Sequence, residues 1–139
     1  MGERAPLQAT RDAVLELRER KGMVLNPDDH DTWSAGSFFL NPVVTPEVAA
    51  ALPDAAPRWA QPDGSIKVSA AWLIEQSGIH RGYSRGGASV SGKHSLALTN
   101  RGAASADEIV LLAREIRDRV VSHFGIALEP EVRLVGLEL

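Results

Sequence analysis

The sequence predicts an α+β domain, a compact two-layer unit of about four helices against a small, mainly antiparallel sheet. Three observations point there. Helix-like and strand-like segments are interspersed without clean strand–helix–strand repeats. From Ser105 onward a capping box opens a long stretch of helical apolar periodicity. Residues 88–90 and 95–99 read as two short strands around the polar turn SGKH.

The elements follow in order. Thr10 can cap a first helix reaching about Lys21, with Val14, Leu15 and Leu17 on one side and Gly22 just past its end. Glu16 and Arg20 stand four residues apart and add slight support. Thr45-Pro46 pairs an N-cap with proline at the first helical position, for a short helix to about Leu52. The turn Pro62-Asp63-Gly64 precedes a strand at 65–68. Ser69 opens a third helix, and Gly78 stops it. Ser105 and Glu108 form the capping box of the longest helix, with Ile109, Leu112, Ile116, Val120 and Phe124 on its inner face and Gly125 at its end. The tail at 131–135 alternates as a strand, Val132 and Leu134 facing one way and Glu131 and Arg133 the other. Residues 26–41 and 51–64 read as loops, the second holding three of eight prolines.

Composition excludes several classes. A chain of 139 residues with 44% hydrophobic content has the length and core of one folded domain. Fifteen Lys and Arg against eighteen Asp and Glu leave a net charge of −3, which speaks against nucleic acid and anionic membranes as partners. Zero cysteines exclude a disulfide scaffold, a thiol nucleophile and a Cys-ligated metal. No apolar run approaches the roughly 20 residues of a membrane span, and residues 1–12 lack the apolar core of a signal peptide, so a cytoplasmic location is expected.

Five features carry candidate chemistry. Ser37, behind Gly36 and before Phe38-Phe39, is either a turn serine or a hydroxyl at the rim of an apolar pocket, able to donate a proton. It is no nucleophile elbow, because G-x-S-x-G is absent, and this disfavours a serine hydrolase. Glu131 lies on a solvated edge strand or lines a cleft. Residues 85–94 (RGGASVSGKH) form either a flexible hairpin or a cradle of amides and positive charge for a phosphate. The run Asp28-Asp29-His30-Asp31 reads as an acidic turn more readily than as a cation site. Trp72 belongs to the core of its helix, while Trp33 and Trp59 stay open as stacking surfaces.

Taken together, GSFFLNP (36–42), SAAWLIE (69–75), the Gly-Gly turn with Lys93-His94 and LEPEVRLVG (128–136) occur in an order that resembles the C-terminal part of UDP-N-acetylenolpyruvoylglucosamine reductase, with an actinobacterial flavour in HDTWSAGSFF. The resemblance runs from about residue 6 to 135. It implies a substrate-binding domain at 25–128, preceded by a helical lead-in at 1–24 and followed by a strand at 129–139 that returns to an FAD domain absent from these residues. It implies that Ser37 donates a proton to the substrate carbon, that Glu131 assists, and that Asn41 and His94 contact the substrate, UDP-N-acetylglucosamine enolpyruvate. It implies FAD and NADPH in the full enzyme, none bound by this segment, and a segment inactive alone. The alternative is a non-catalytic UDP-sugar-binding module. Leu40 departs from the family pattern, which has lysine or threonine there, and Tyr83 and Arg85 have no assigned role.

Overall fold

The computed structural model describes residues 4–139, so residues 1–3 of the expected lead-in lie outside it. In chain order it contains α1 (Leu7–Arg20), a 3-10 turn (His30–Thr32), β1 (Ser34–Ser37), β2 (Val43–Val44), α2 (Pro46–Ala50), β3 (Arg58–Ala60), β4 (Ile66–Val68), α3 (Ala70–Gln76), β5 (Ser84–Arg85), β6 (Ala88–Val90), β7 (Ala97–Asn100) and α4 (Ala106–Phe124). The strands form two antiparallel sheets rather than one: a four-stranded sheet in the order β1-β7-β6-β5 and a three-stranded sheet in the order β2-β4-β3. The α+β class stands.

The helix signals act as their chemistry requires. Ser105 Oγ accepts from Glu108 N–H, and Glu108 Oε2 accepts from Ser105 N–H at 2.9 Å, closing the capping box. Gly125 ends α4 in the left-handed region at φ +67°, where a side chain would be strained. Leu112, Ile116 and Val120 are fully buried; Ile109 and Phe124 pack at the core's margin. Thr45 and Ser69 cap α2 and α3, from Val48 N–H and Trp72 N–H. α2 ends two residues earlier than expected, because Arg58 donates to the carbonyls of Ala49, Leu52, Pro53 and Ala56 and holds the following loop. α1 differs at its start. Pro6 is the N-cap and Thr10 lies inside the helix, its Oγ1 donating to Pro6 O at 3.2 Å. At its end, Gly22 N–H donates to Glu19 O and Met23 N–H to Arg18 O, a Schellman closure on a left-handed glycine.

α4 lies across β5, β6 and β7 and packs on α3, so the core sits between this pair of helices and the larger sheet. β1 and β3 fall where loops were expected, and β2 lies just past the first of them. β1 finds its partner far along the chain, Ser34 pairing Thr99, while β3 pairs with the next strand across a short hairpin, Trp59 opposite Lys67. The opposite correction applies to 131–135. That stretch is not a strand: an isolated bridge between Phe39 and Pro130 lies just before it, and of its own residues Glu131 alone donates its N–H to the neighbouring segment, at Phe38 O. The alternation persists, with Val132 and Leu134 half-buried against the core and Glu131 and Arg133 exposed. Beyond Glu131 no neighbouring strand supplies hydrogen bonds, so the pattern forms a face without a ladder.

The β5–β6 hairpin docks closely on the start of α4. Gly87 N–H donates to Glu108 Oε1 at 3.0 Å, and a Cβ on Gly87 would lie 2.8 Å from Ala104 Cα. Gly87→Ala should destabilise the domain by about 1–3 kcal/mol in urea unfolding, as over-packing does. An unchanged midpoint would contradict the close approach.

Candidate functional site

The site grows from a bulge. Ser34 pairs Thr99 and Ser37 pairs Ala97, so β1 carries one residue more than β7 between these pairs. Gly36 absorbs it at φ +84°, a conformation that suits glycine. The bulge re-aims the chain just before Ser37, which is half-buried, and no side chain among the described residues hydrogen-bonds its Oγ.

Next, residues 38–40 are bonded along both edges. Phe38 N–H donates to Leu96 O at 2.7 Å, beside β7. On the other side Glu131 N–H donates to Phe38 O at 2.8 Å and Leu40 N–H to Glu129 O at 2.9 Å. Phe38 and Phe39 are 6% and 1% exposed, their rings edge to face with centroids 5.0 Å apart. These contacts seat the exposed Glu131 beside the strand that carries Ser37, although the two share no hydrogen bond.

His94 joins through the same strand. The Leu96 peptide donates its N–H to His94 Nδ1 at 3.1 Å while its carbonyl receives Phe38 N–H. With Nδ1 accepting, the ring's proton sits on Nε2, which is left as a donor. Burial, then the charges of Lys21 and Arg81, hold the imidazole below its usual pKa, so it is neutral at pH 7. Nearby, Ser95 Oγ donates to Glu75, with Arg81 Nε 3.3 Å from the same hydroxyl.

Asn41 behaves differently. Its Oδ1 accepts from Ala70 N–H at 2.9 Å, so together with Ser69 it closes the N-terminus of α3. Its Nδ2 donors remain for another partner. Backbone hydrogen bonds thus tie Glu131 to Phe38 and, through the Leu96 peptide, link His94 to the same residue, next to Ser37, while Asn41 is half committed to α3.

Acidic side chains fill the glycine-rich loop that was weighed as a phosphate cradle. Gly92 N–H donates to Asp31 Oδ1 at 2.9 Å, Arg101 reaches the same oxygen at 3.0 Å, and Lys93 pairs with Asp29. The Lys93 ammonium, then the Asp31 N–H, hold the Asp29 carboxyl below its usual pKa. The run 28–31 is therefore a clamp on residues 91–94; among the described residues no cluster of His, Asp or Glu could hold a metal. Tyr83 and Arg85 also find a structural use. Tyr83 donates to Glu115 Oε1 at 2.5 Å, Arg85 pairs with Oε2 at 2.8 Å, and Arg119 reaches both Glu115 and the Tyr83 oxygen. The Tyr83 hydroxyl, more than the arginines, holds the Glu115 carboxyl below its usual pKa, and the same bond raises that of Tyr83.

A groove of about 480 Å³ runs beside the bulge, between Leu25, Trp33, Phe38, Leu98, Ile109 and Val132. A larger one, about 650 Å³, lies elsewhere, between Val43, Thr45, Val48, Asp63 and Ile126. Its charged lining is one carboxylate, Asp63, which does not fit a flavin's diphosphate. No helix among the described residues is long and apolar enough to cross a membrane. Trp72 packs on Phe124, with centroids 5.7 Å apart, while Trp59 on β3 is half exposed.

A family model described as UDP-N-acetylenolpyruvoylglucosamine reductase, C-terminal domain, matches residues 26–135. The UDP-N-acetylenolpyruvoylglucosamine reductase of Mycobacterium tuberculosis is 54% identical over 149 aligned positions, covering 99% of this chain and 40% of its own length. A Corynebacterium glutamicum protein, UDP-N-acetylenolpyruvoylglucosamine reductase 2, is 52% identical over 143 positions and covers 98% of this chain. The crystal structure of the Thermus caldophilus reductase superposes with a TM-score of 0.51 at 26% identity, over 95% of this chain and 36% of that one. The chain spans about 40% of the length of the curated relatives it matches.

The His94 geometry sets a pH dependence. Its folded pKa lies below the unfolded value of about 6.5, so the unfolded chain binds the extra proton in that window and stability falls as pH drops through it. The His94 Cε1–H resonance should titrate below pH 6.5, and His94→Gln should flatten that slope. A midpoint at or above the ordinary imidazole value would overturn the assignment.

Proposed function

The chain belongs to the family of UDP-N-acetylenolpyruvoylglucosamine reductase C-terminal domains, and from that premise we propose that it is the substrate-binding part of an FAD- and NADPH-dependent enzyme of peptidoglycan synthesis. In this reading the whole enzyme reduces UDP-N-acetylglucosamine enolpyruvate to UDP-N-acetylmuramate in the cytoplasm. The observation that carries it is the segment 38–40, bonded along both edges, which follows directly on Ser37 and holds the backbone of Glu131 beside it.

Reducing an enol ether adds a hydride to one carbon and a proton to its neighbour, and the flavin held outside this segment would supply the hydride. What this chain contributes is the proton and the grip. Ser37 presents a hydroxyl with no hydrogen-bond partner among the described residues, and a positioned acid of this kind contributes roughly 10²–10⁴-fold to such a step. Glu131, exposed at the same strand, assists as acid or by stabilising the enol-like intermediate. His94 offers a neutral Nε2–H donor, and Asn41 its Nδ2 donors, to the polar part of the substrate. A module that only binds a UDP sugar has no need of both Ser37 and Glu131.

The test is a titration of the isotope-labelled chain with UDP-N-acetylglucosamine enolpyruvate. Saturable amide shifts at Ser37, Asn41 and His94 are expected; none at millimolar ligand, with the rest of the enzyme supplied in trans as well, would overturn the reading. In the full-length reductase, Ser37→Ala should lower turnover about 10²-fold or more with little change in substrate affinity. The chain alone, given FAD, NADPH and substrate, should oxidise no NADPH.

A further inference from the structure

A carboxylate far back in the chain braces the turn that carries His94. Asp31 stands 61 residues before Gly92 and accepts its N–H at 2.9 Å, and Arg101 shares the same oxygen at 3.0 Å. The approach is close: a Cβ on Gly92 would lie 3.1 Å from Asp31 Oδ2. The Asp31 side chain is 18% exposed, less than a solvated acidic turn requires. An exposed ion pair alone contributes little, but this carboxylate also holds a backbone amide through a charge-assisted hydrogen bond. Asp29 supports it, accepting Asp31 N–H at 3.0 Å and pairing with Lys93.

What the brace holds is the backbone under His94. Inside the turn, the buried Ser91 Oγ accepts Lys93 N–H and His94 N–H at 3.0 and 3.3 Å. Gly92 and Lys93 are exposed and lie outside the core. The His94 ring has one hydrogen bond among the described residues, from Leu96 N–H to Nδ1 at 3.1 Å. The direction of its Nε2–H therefore follows the backbone of 91–96 and not a side-chain partner. The bracing segment is itself anchored, because Trp33 O accepts Asn100 N–H at 2.9 Å and β1 begins at the next residue. Residues 29–33 thus span β7, from the turn before it to its last residue. We propose that Asp31 is a positioning residue for the substrate: it holds the 91–94 turn so that His94 Nε2–H faces the polar part of the UDP sugar. The inference rests on the reading of His94 as a substrate contact and adds the residue that sets its place.

The test is a double-mutant cycle between Asp31 and His94 in the full-length reductase. Asp31→Ala should raise KM for UDP-N-acetylglucosamine enolpyruvate about tenfold and lower kcat by less than about threefold, a coupling ordinary for residues in one hydrogen-bond network. Asp31→Asn keeps an oxygen for Gly92 N–H and should stay within about threefold of the parent KM. His94→Ala should raise KM by a similar factor to Asp31→Ala, and the two together little further. In the isolated chain, Asp31→Ala should speed exchange of the Leu96 amide at least about tenfold and leave the α4 amides unchanged. Additive losses in the cycle would overturn the proposal, and so would α4 amides that accelerate with Leu96, since either makes Asp31 a support of the whole fold. An unchanged KM in Asp31→Ala, with KM raised in His94→Ala, would overturn the proposal alone. An unchanged KM in His94→Ala would overturn the substrate reading of His94 and the proposal with it.

Discussion

Hydrogen bonding of residues 38–40 along both edges is the constraint on which the site depends. One edge takes Leu96 from the strand that follows the SGKH turn, and the other takes Glu129 and Glu131 from the tail. Phe39, at 1% exposure, fixes the segment in the core, and truncating a buried phenylalanine costs about 3–5 kcal/mol. The backbone bonds and the burial serve each other. Phe38 and Phe39 cannot go inward unless their peptide groups find partners, and they find them on two chain segments far apart in sequence. The candidate site is assembled as a by-product. Ser37 sits one residue before this segment, Glu131 on its outer edge, and His94 on the peptide that closes its inner edge.

Carboxylates hold the surrounding loops. Asp29 and Asp31 fasten the turn at 91–94, Glu108 ties Gly87 to the start of α4, and Glu115 gathers Tyr83, Arg85 and Arg119. The Glu108 carboxyl lies below its usual pKa, chiefly through the Gly87 N–H and then through Ser105, so the stability it contributes is complete above the ordinary carboxylate range and is lost as pH falls below that range, through the depressed folded pKa. A domain with a net charge of −3 thus spends part of its acidic excess on backbone amides and arginines.

Legibility in the sequence followed the range of the interaction. The capping box at Ser105, the N-caps Thr45 and Ser69 and the end glycines Gly22 and Gly125 act within one helical turn, and their chemistry is written locally. The apolar stripe of α4 was readable for the same reason. β1, β2 and β3 were not, because each is only two to four residues long and is held by its sheet partner rather than by a pattern of its own. The tail failed in the other direction: 131–135 has a strand's alternation but no strand beside it. At the candidate site, the order of four motifs points to Ser37 and Glu131, while no local signal announces the bulge at Gly36 that separates Ser37 from an ordinary strand residue. The clamp of Asp31 on Gly92 spans the site's far edge, and nothing in the run DDHD reveals a partner so distant.

This chain by itself holds the tail against the segment that follows Ser37. Through-hydrogen-bond scalar couplings between nitrogen and carbonyl carbon measure that contact directly. Couplings from Glu131 N to Phe38 C′ and from Leu40 N to Glu129 C′ should both be resolved in the isolated chain. Absence of both, with the Glu131 amide exchanging at the rate of an unstructured peptide, would contradict it.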